Sequence, residues 1–278
     1  MISAALEAAT AALAAHSASA RLDAEVLLAH VLGASRAELL VRGAEALAPA
    51  AAAAYAALLH RRAAGEPVAY LLGRREFWTL TLEVDATVLV PRPESELLVE
   101  LALAALAPRD AGRVLDLGTG SGAVGLAIAS ERAAARVDLV DASAAALAVA
   151  ERNRVRLGLG NARTVLGDWF GPVAGCRYAL IVANPPYLAV DDPHLGDRAL
   201  MHEPRTALVA GPSGLEAVAA IAAGARTHLE PGGWLIVEHG WTQGPQAREL
   251  LARSGLEAVR TERDLAGTER ATLGRAPG

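Results

Sequence analysis

After residue 110 the chain alternates short apolar, β-branched runs with stretches of helical periodicity. That rhythm restricts it to an α/β fold built on a mostly parallel sheet. The expected strands are RVLDL, ARVDLVD, ARTVLG, YALIVAN and GGWLIVEHG, followed near the end by LEAVRTERD and RATLGRA. Ser213 and Glu216 read as a capping box for the helix between the fourth and fifth strands. No internal repeat or low-complexity linker breaks the pattern.

Upstream the period is different. Leu22, Val26 and Ala29 recur at helical spacing before Gly33, and Ser35 with Glu38 forms a capping box opening the next helix. Tyr55, Leu58 and Leu59 mark a further helical stripe that Gly65 and Pro67 end. From 66 to 93 the residues alternate as in a β-hairpin, with Leu80, Leu82 and Val84 on one face and Thr79, Thr81 and Glu83 on the other. Pro91 and Pro93 precede a helix, ESELLVELALAAL, expected to close at Pro108. The chain therefore divides into a helical bundle (1–64), a hairpin connector (65–93) and a larger α/β domain (94–278).

Composition narrows the chemistry. The 278 residues are 53% hydrophobic with a net charge of −5, a balance that does not attract a bare phosphate backbone. All 26 basic residues are arginine, so a P-loop lysine, a Schiff-base lysine and a lysine general base are excluded. The single cysteine, Cys176, rules out an intramolecular disulfide and a multi-cysteine zinc site, and reads as a small buried hydrophobe. No histidine pair has metal-ligand spacing, and His239 reads as structural. The Ala-rich start carries Glu7 and lacks a basic leader, so it does not read as a signal peptide. No apolar run approaches the ~18–20 residues of a membrane span. A cytoplasmic protein is expected, with no membrane or direct nucleic-acid partner. Its oligomeric state is open, a monomer being the default.

The stretch VLDLGTGSGAVG follows a strand and opens a helix. Gly118, Gly120 and Gly122, with Thr119 and Ser121 between them, let the backbone turn tightly and approach a ligand. Read from Gly120, the same run satisfies the dinucleotide fingerprint, and Asp141 lies where a ribose-binding acid belongs, so a nicotinamide enzyme stays possible on this loop alone. The neighbours favour another ligand. Asp116 ends the first strand just before the loop and suits a cationic amino-acid moiety rather than a pyrophosphate. Asp141 closes the second strand and can accept from a ribose diol. Asp168 can take an adenine amino group, and Trp169 can lie against the ring. Together they fit S-adenosylmethionine.

The fourth strand leaves the sheet through ANPPY, residues 183–187. An amide or amine nitrogen delivered there meets two acceptors, the Asn184 side-chain oxygen and the Pro185 carbonyl. Pro185 and Pro186 stiffen the backbone, and Tyr187 can stack on a planar group. No general base is demanded, because proton loss can follow methyl transfer, and most of the rate would come from positioning in a preorganised polar site.

With these residues in hand, the chain resembles the peptide chain release factor glutamine methyltransferases over nearly its whole length. The resemblance rests on GEPVAYLLGRREFW (65–78), VLVPRPESE (88–96), DLGTGSGAVGLA (116–127), GDWF, VANPPYL, DDPHL (191–195), EPRTAL (203–208), EHG (238–240) and GTERATLGR (267–275). It implies a seven-stranded, Rossmann-like class I methyltransferase domain behind a helical N-terminal domain. It also implies methylation of the glutamine of the Gly-Gly-Gln motif in class 1 release factors from S-adenosylmethionine. On matching positions, Gly118 to Gly122, Asp141, Trp169 and Asn184 would contact cofactor. Asn184, Pro185, Pro186 and Tyr187 would hold the substrate glutamine, with Phe77 and the Pro91–Glu94 segment walling the pocket. Glu94-Ser95 stands where Asp-Thr is usual, and Ser121 where Thr is common. Ribosomal-protein glutamine methyltransferases share this architecture, and GRREFW favours the release-factor branch. A DNA or RNA adenine amino-group methyltransferase would use NPPY in the same way but would need a basic groove.

Overall fold

The computed structural model describes residues 1–106 and 111–278, so the expected helix end at Pro108 lies outside the described residues. Two compact units emerge: Met1–Arg74 with Gly196–His202, and Arg75–Leu195 with Glu203–Gly278.

The first unit holds α1 (Ile2–Leu13), α2 (Ala20–Leu32), α3 (Arg36–Val41), α4 (Pro49–Ala63) and α5 (Val68–Leu72). Gly33 ends α2 in the left-handed region, and the Ser35–Glu38 capping box opens α3 with both reciprocal bonds made. Leu6, Leu13, Leu27, Leu28, Leu39 and Tyr55 form the core. The buried Tyr55 hydroxyl donates to the Ala24 carbonyl at 2.9 Å. Buried Asp23 is paired with Arg62 at 2.7 Å and accepts from the hydroxyls of Ser17 and Ser19. Gly196–His202 completes this unit from far along the chain. Arg198 donates to His16 Nδ1 at 2.9 Å, and His202 Nε2 donates to the Ala64 carbonyl at 3.3 Å.

The stretch read as a hairpin region contains a helix as well. α5 occupies Val68–Leu72, closed by Gly73 in the left-handed region, and the hairpin proper is β1 (Arg74–Phe77) with β2 (Leu80–Glu83). α6 (Glu96–Ala105) follows.

The second unit continues with β3 (Arg113–Leu117), α7 (Ala123–Glu131), β4 (Arg136–Asp141), α8 (Ala144–Arg156), β5 (Ala162–Leu166) and β6 (Tyr178–Ala183). Then come β7 (Leu188–Ala189), β8 (Val209–Gly211), α9 (Glu216–His228), β9 (Leu229–Glu238), α10 (Gly244–Arg253), β10 (Glu257–Arg263) and β11 (Glu269–Arg275). All seven expected strands join one sheet in the order β10-β11-β9-β6-β3-β4-β5, parallel except where β11 runs against both β9 and β10. The Ser213–Glu216 box is only half made. Glu216 accepts from the Ser213 N–H at 2.8 Å, but the Ser213 hydroxyl accepts from Leu215, two residues on. No helix of the described residues is long and apolar enough to cross a membrane.

Both faces of the sheet are covered, which is why its central strands read as continuous apolar runs. Val114, Val137, Leu139, Leu180, Val182 and Ile236 face one layer, where Leu98, Val99 and Leu126 pack. Leu115, Leu117, Ile181, Leu235 and Val237 face the other, against Val218, Ile221 and Leu251. Side chains alternate along a strand, so this parity continues to the carboxyl ends. It puts Asp116, Asp141, Asn184 and Glu238 on a single face at the ligand-binding edge.

Candidate active site

A cavity of about 520 Å³ opens at that edge within the second unit. Its wall includes the loop residues Gly118, Thr119, Gly120 and Ser121, the carboxylates Asp116, Asp141 and Asp168, and Trp169, Asn184, Pro186 and Phe77. The volume lies within the range of small-molecule and cofactor sites.

The glycine loop is tied to the sheet through its own backbone. The amides of Gly118 and Thr119 both donate to the Val140 carbonyl, at 2.9 and 3.0 Å. Asp141 Oδ2 accepts from the Gly120 N–H at 2.9 Å, and its Oδ1 accepts from the Ser143 N–H at 2.8 Å. Asp116 Oδ2 accepts from the Thr119 hydroxyl at 2.6 Å and the Gly125 N–H at 3.0 Å. Gly125 makes that second bond possible. A Cβ there would lie 2.2 Å from Leu139 and 2.8 Å from Asp116 Oδ2, so only glycine lets α7 come this close to β3 and β4. Burial pushes the Asp116 carboxyl up to about 6 and raises Asp141 as well. A fixed cation beside Asp116 would reverse that shift, so the site is electrostatically suited to a positively charged ligand.

Asn184 stands one residue beyond β6, beside the end of β9, since Ala183 pairs with Val237. Its Nδ2 donates to the Ser95 hydroxyl at 2.9 Å, and its Oδ1 is buried with no hydrogen-bond partner. Buried acceptors are normally satisfied. An unpaired one on a cavity wall is an available grip for an N–H donor. The turn after Asn184 is anchored from behind: Gln243 Nε2 donates to the carbonyls of Tyr187 at 3.0 Å and Gly214 at 3.1 Å, and the Leu188 N–H donates to the Leu208 carbonyl. Burial raises the Tyr187 phenol to about 12, which keeps it neutral.

Five of the residues singled out in the sequence do not line the cavity, among them Pro93 and Glu94 of the expected Pro91–Glu94 wall, of which only Pro91 and Arg92 reach it. Gly122 caps α7 instead, where a Cβ would meet Leu126 at 2.6 Å. Pro185 is buried and Tyr187 half-buried, each next in the chain to a wall residue, Asn184 and Pro186. Conversely, sequence reasoning gave no role to Ser95, which fixes Asn184, or to Glu203, Gln243 and Glu238. The fully buried carboxylate of Glu203 accepts from the Val90 N–H at 3.0 Å and pairs with Arg92, pinning the pocket segment around Val88–Arg92. Ser95, Glu203 and Glu238 did lie in motifs that carry the family resemblance, VLVPRPESE, EPRTAL and EHG. His239 is structural as expected: buried, its Nε2 meets the Thr272 hydroxyl at 2.9 Å. Cys176 is half-buried and packs against the second core layer.

A mostly parallel seven-stranded sheet with an antiparallel β11, bearing a glycine loop and strand-end acids around one cavity, defines a Rossmann-like class I methyltransferase. A methyltransferase from Pyrococcus furiosus has this fold: TM-score 0.52 at 18% identity, covering 71% of this chain and 89% of that one. The sequence matches the PrmC N-terminal domain over residues 4–73 and the methyltransferase small domain over 94–254. Among its relatives, the release factor glutamine methyltransferase of Xylella fastidiosa is 51% identical over 93% of this chain and 94% of the relative. That of Vibrio cholerae is 47% identical over 98% and 96%. The chain belongs to the release factor glutamine methyltransferase family.

Proposed function

We propose that this chain methylates the side-chain amide nitrogen of the glutamine in the Gly-Gly-Gln motif of class 1 peptide chain release factors, acting in the cytoplasm. The observation that carries this reading is the buried, unpartnered Asn184 Oδ1 on the cavity wall, next to a glycine loop and three carboxylates. When bound, S-adenosylmethionine supplies an electrophilic methyl carbon carried on a sulfonium. The residues present fit it: Gly118, Thr119, Gly120 and Ser121 form a cradle without bulky side chains. Asp116 would face its cationic amino-acid portion, Asp141 the ribose, and Asp168 with Trp169 the adenine.

A carboxamide nitrogen is a poor nucleophile because its lone pair is delocalised into the carbonyl. Asn184 Oδ1 accepts one of its N–H groups and the Pro185 carbonyl the other, which fixes its orientation and favours a localised lone pair. Pro185 and Pro186 keep the backbone from swinging, and Tyr187 stacks on the planar amide. Phe77 and the pinned Val88–Arg92 segment wall the pocket. The helical unit, 1–64 in the sequence division, serves recognition of the protein substrate and takes no part in the chemistry.

Incubation with methyl-labelled S-adenosylmethionine tests the assignment. A class 1 release factor should take up label, and its Gln→Ala variant in the Gly-Gly-Gln motif should not. Label confined to a ribosomal protein or to an adenine-containing oligonucleotide would overturn it.

A further inference from the structure

At the end of β9, Glu238 is completely buried and neither carboxylate oxygen has a hydrogen-bond partner. A buried carboxyl left unpaired is costly, and nothing in the cofactor site uses it. Its surroundings are specific. Strand parity and register set it beside Asn184, on the same face of the sheet. After burial, the strongest influence on it is the nearby Ser95 hydroxyl, which favours its ionised form although it stands outside full hydrogen-bond geometry with the carboxylate. That same hydroxyl accepts from Asn184 Nδ2 at 2.9 Å.

We propose that Glu238, acting through Ser95, decides which way round the Asn184 carboxamide sits. A carboxamide presents a donor on one side and an acceptor on the other, and a half-turn exchanges them. A serine hydroxyl can satisfy either side, so Ser95 alone cannot choose. An ionised carboxylate only accepts. With the Ser95 proton turned to Glu238, Ser95 has only lone pairs to offer Asn184. The amide NH₂ must then face Ser95, and Oδ1 must face the cavity. A protonated Glu238 can itself donate to Ser95, which frees the Ser95 proton for Asn184 Oδ1 and admits the reversed amide. In that orientation the substrate nitrogen would meet a donor. Glu238 is thus a positioning residue. The charged groups acting on it are Arg270 on β11 and Arg92 and Glu94 before α6, while Tyr187, kept neutral, lies nearby. Burial lifts its carboxyl to about 7, so the relay switches near neutral pH and is set correctly above it.

The inference deepens the proposed function and rests on it for the role of Asn184, but its test does not need the substrate. In the full-length, ¹⁵N-labelled chain, the Asn184 Nδ2 cross-peak, assigned by its loss in Asn184→Ala, is followed from pH 5.5 to 8.5. It should titrate with a midpoint near 7. The midpoint should vanish in Glu238→Gln and in Ser95→Ala, and return in Ser95→Thr. A peak that does not titrate, or one that titrates unchanged in both Ser95→Ala and Glu238→Gln, overturns the relay. Should Glu238→Gln fail to fold, the Ser95→Ala and Ser95→Thr pair decides alone. With release factor present, kcat of Ser95→Ala should fall about tenfold with KM unchanged, as for an interaction used only in the transition state, and Ser95→Thr should restore it. Wild-type kcat should rise with pH through 7. Titration of Asn184 without any methylation of the release factor would leave the relay standing and sink the functional assignment.

Discussion

Asn184 is the single residue on which the proposed chemistry turns. Its amide is held by Ser95, its oxygen is buried and unpaired, and the residue forms part of the cavity wall. Asn184→Ala should lower kcat by roughly 10²–10³-fold, the range for losing one preorganised polar contact. Affinity for S-adenosylmethionine, measured by calorimetry, should stay within a few-fold; equal loss of both would contradict the assignment. Asp116 makes a different prediction. Burial raises its carboxyl to about 6 in the unliganded protein, and a cationic ligand favours the ionised form. Affinity should therefore weaken as pH falls through 6, by about tenfold per pH unit well below it. Calorimetry between pH 5 and 7 would expose a flat Kd, which would remove Asp116 from the cation's surroundings.

Between strands and helices, the governing contact is α7 against β3 and β4. Gly125 permits it, so Gly125→Ala should cost on the order of 1–3 kcal/mol of stability, as overpacking does. Because the added methyl also presses on Asp116, cofactor affinity should drop with it. Chemical denaturation and calorimetry on the same variant separate the two effects; wild-type stability would mean that α7 backs away freely. At this scale the sequence was most readable where structure follows local rules. Periodicity located the seven strands, and glycine spacing located the loop, because each signal sits within a dozen consecutive residues. α5 was missed since five residues, Val68–Leu72, are too few to show a helical period. The Ser213–Glu216 box was half wrong because side-chain choice among nearby amides depends on how the loop enters α9. The roles of Ser95, Gln243 and Glu203 could not be read at all. Their partners lie 89, 56 and 113 residues away, and only the folded sheet brings them together.

For the molecule as a whole, two buried carboxyls set an acid–base signature. Both Asp116 and Glu238 have folded-state pKa values raised above their ordinary ones, to about 6 and about 7. Their contribution to stability is fully present below the ordinary carboxylate range and disappears as pH rises through those values. The unliganded protein should thus lose stability between pH 4 and 8 through these groups. Glu238→Gln should reduce the loss by on the order of 3 kcal/mol, for a carboxyl moved from 4.5 to about 7. Urea midpoints of wild type and variant at the two pH values measure it; parallel curves would show that the Glu238 carboxyl does not titrate in this window.

Gly196–His202 sets a practical boundary on how the gene can be divided. The segment lies more than a hundred residues past Arg74, yet its contacts run to His16 and Ala64. A single protease nick near position 74 would therefore not free an intact N-terminal fragment. Grafting that unit onto another enzyme would require transplanting two separate stretches of chain, the second inserted into the middle of its host.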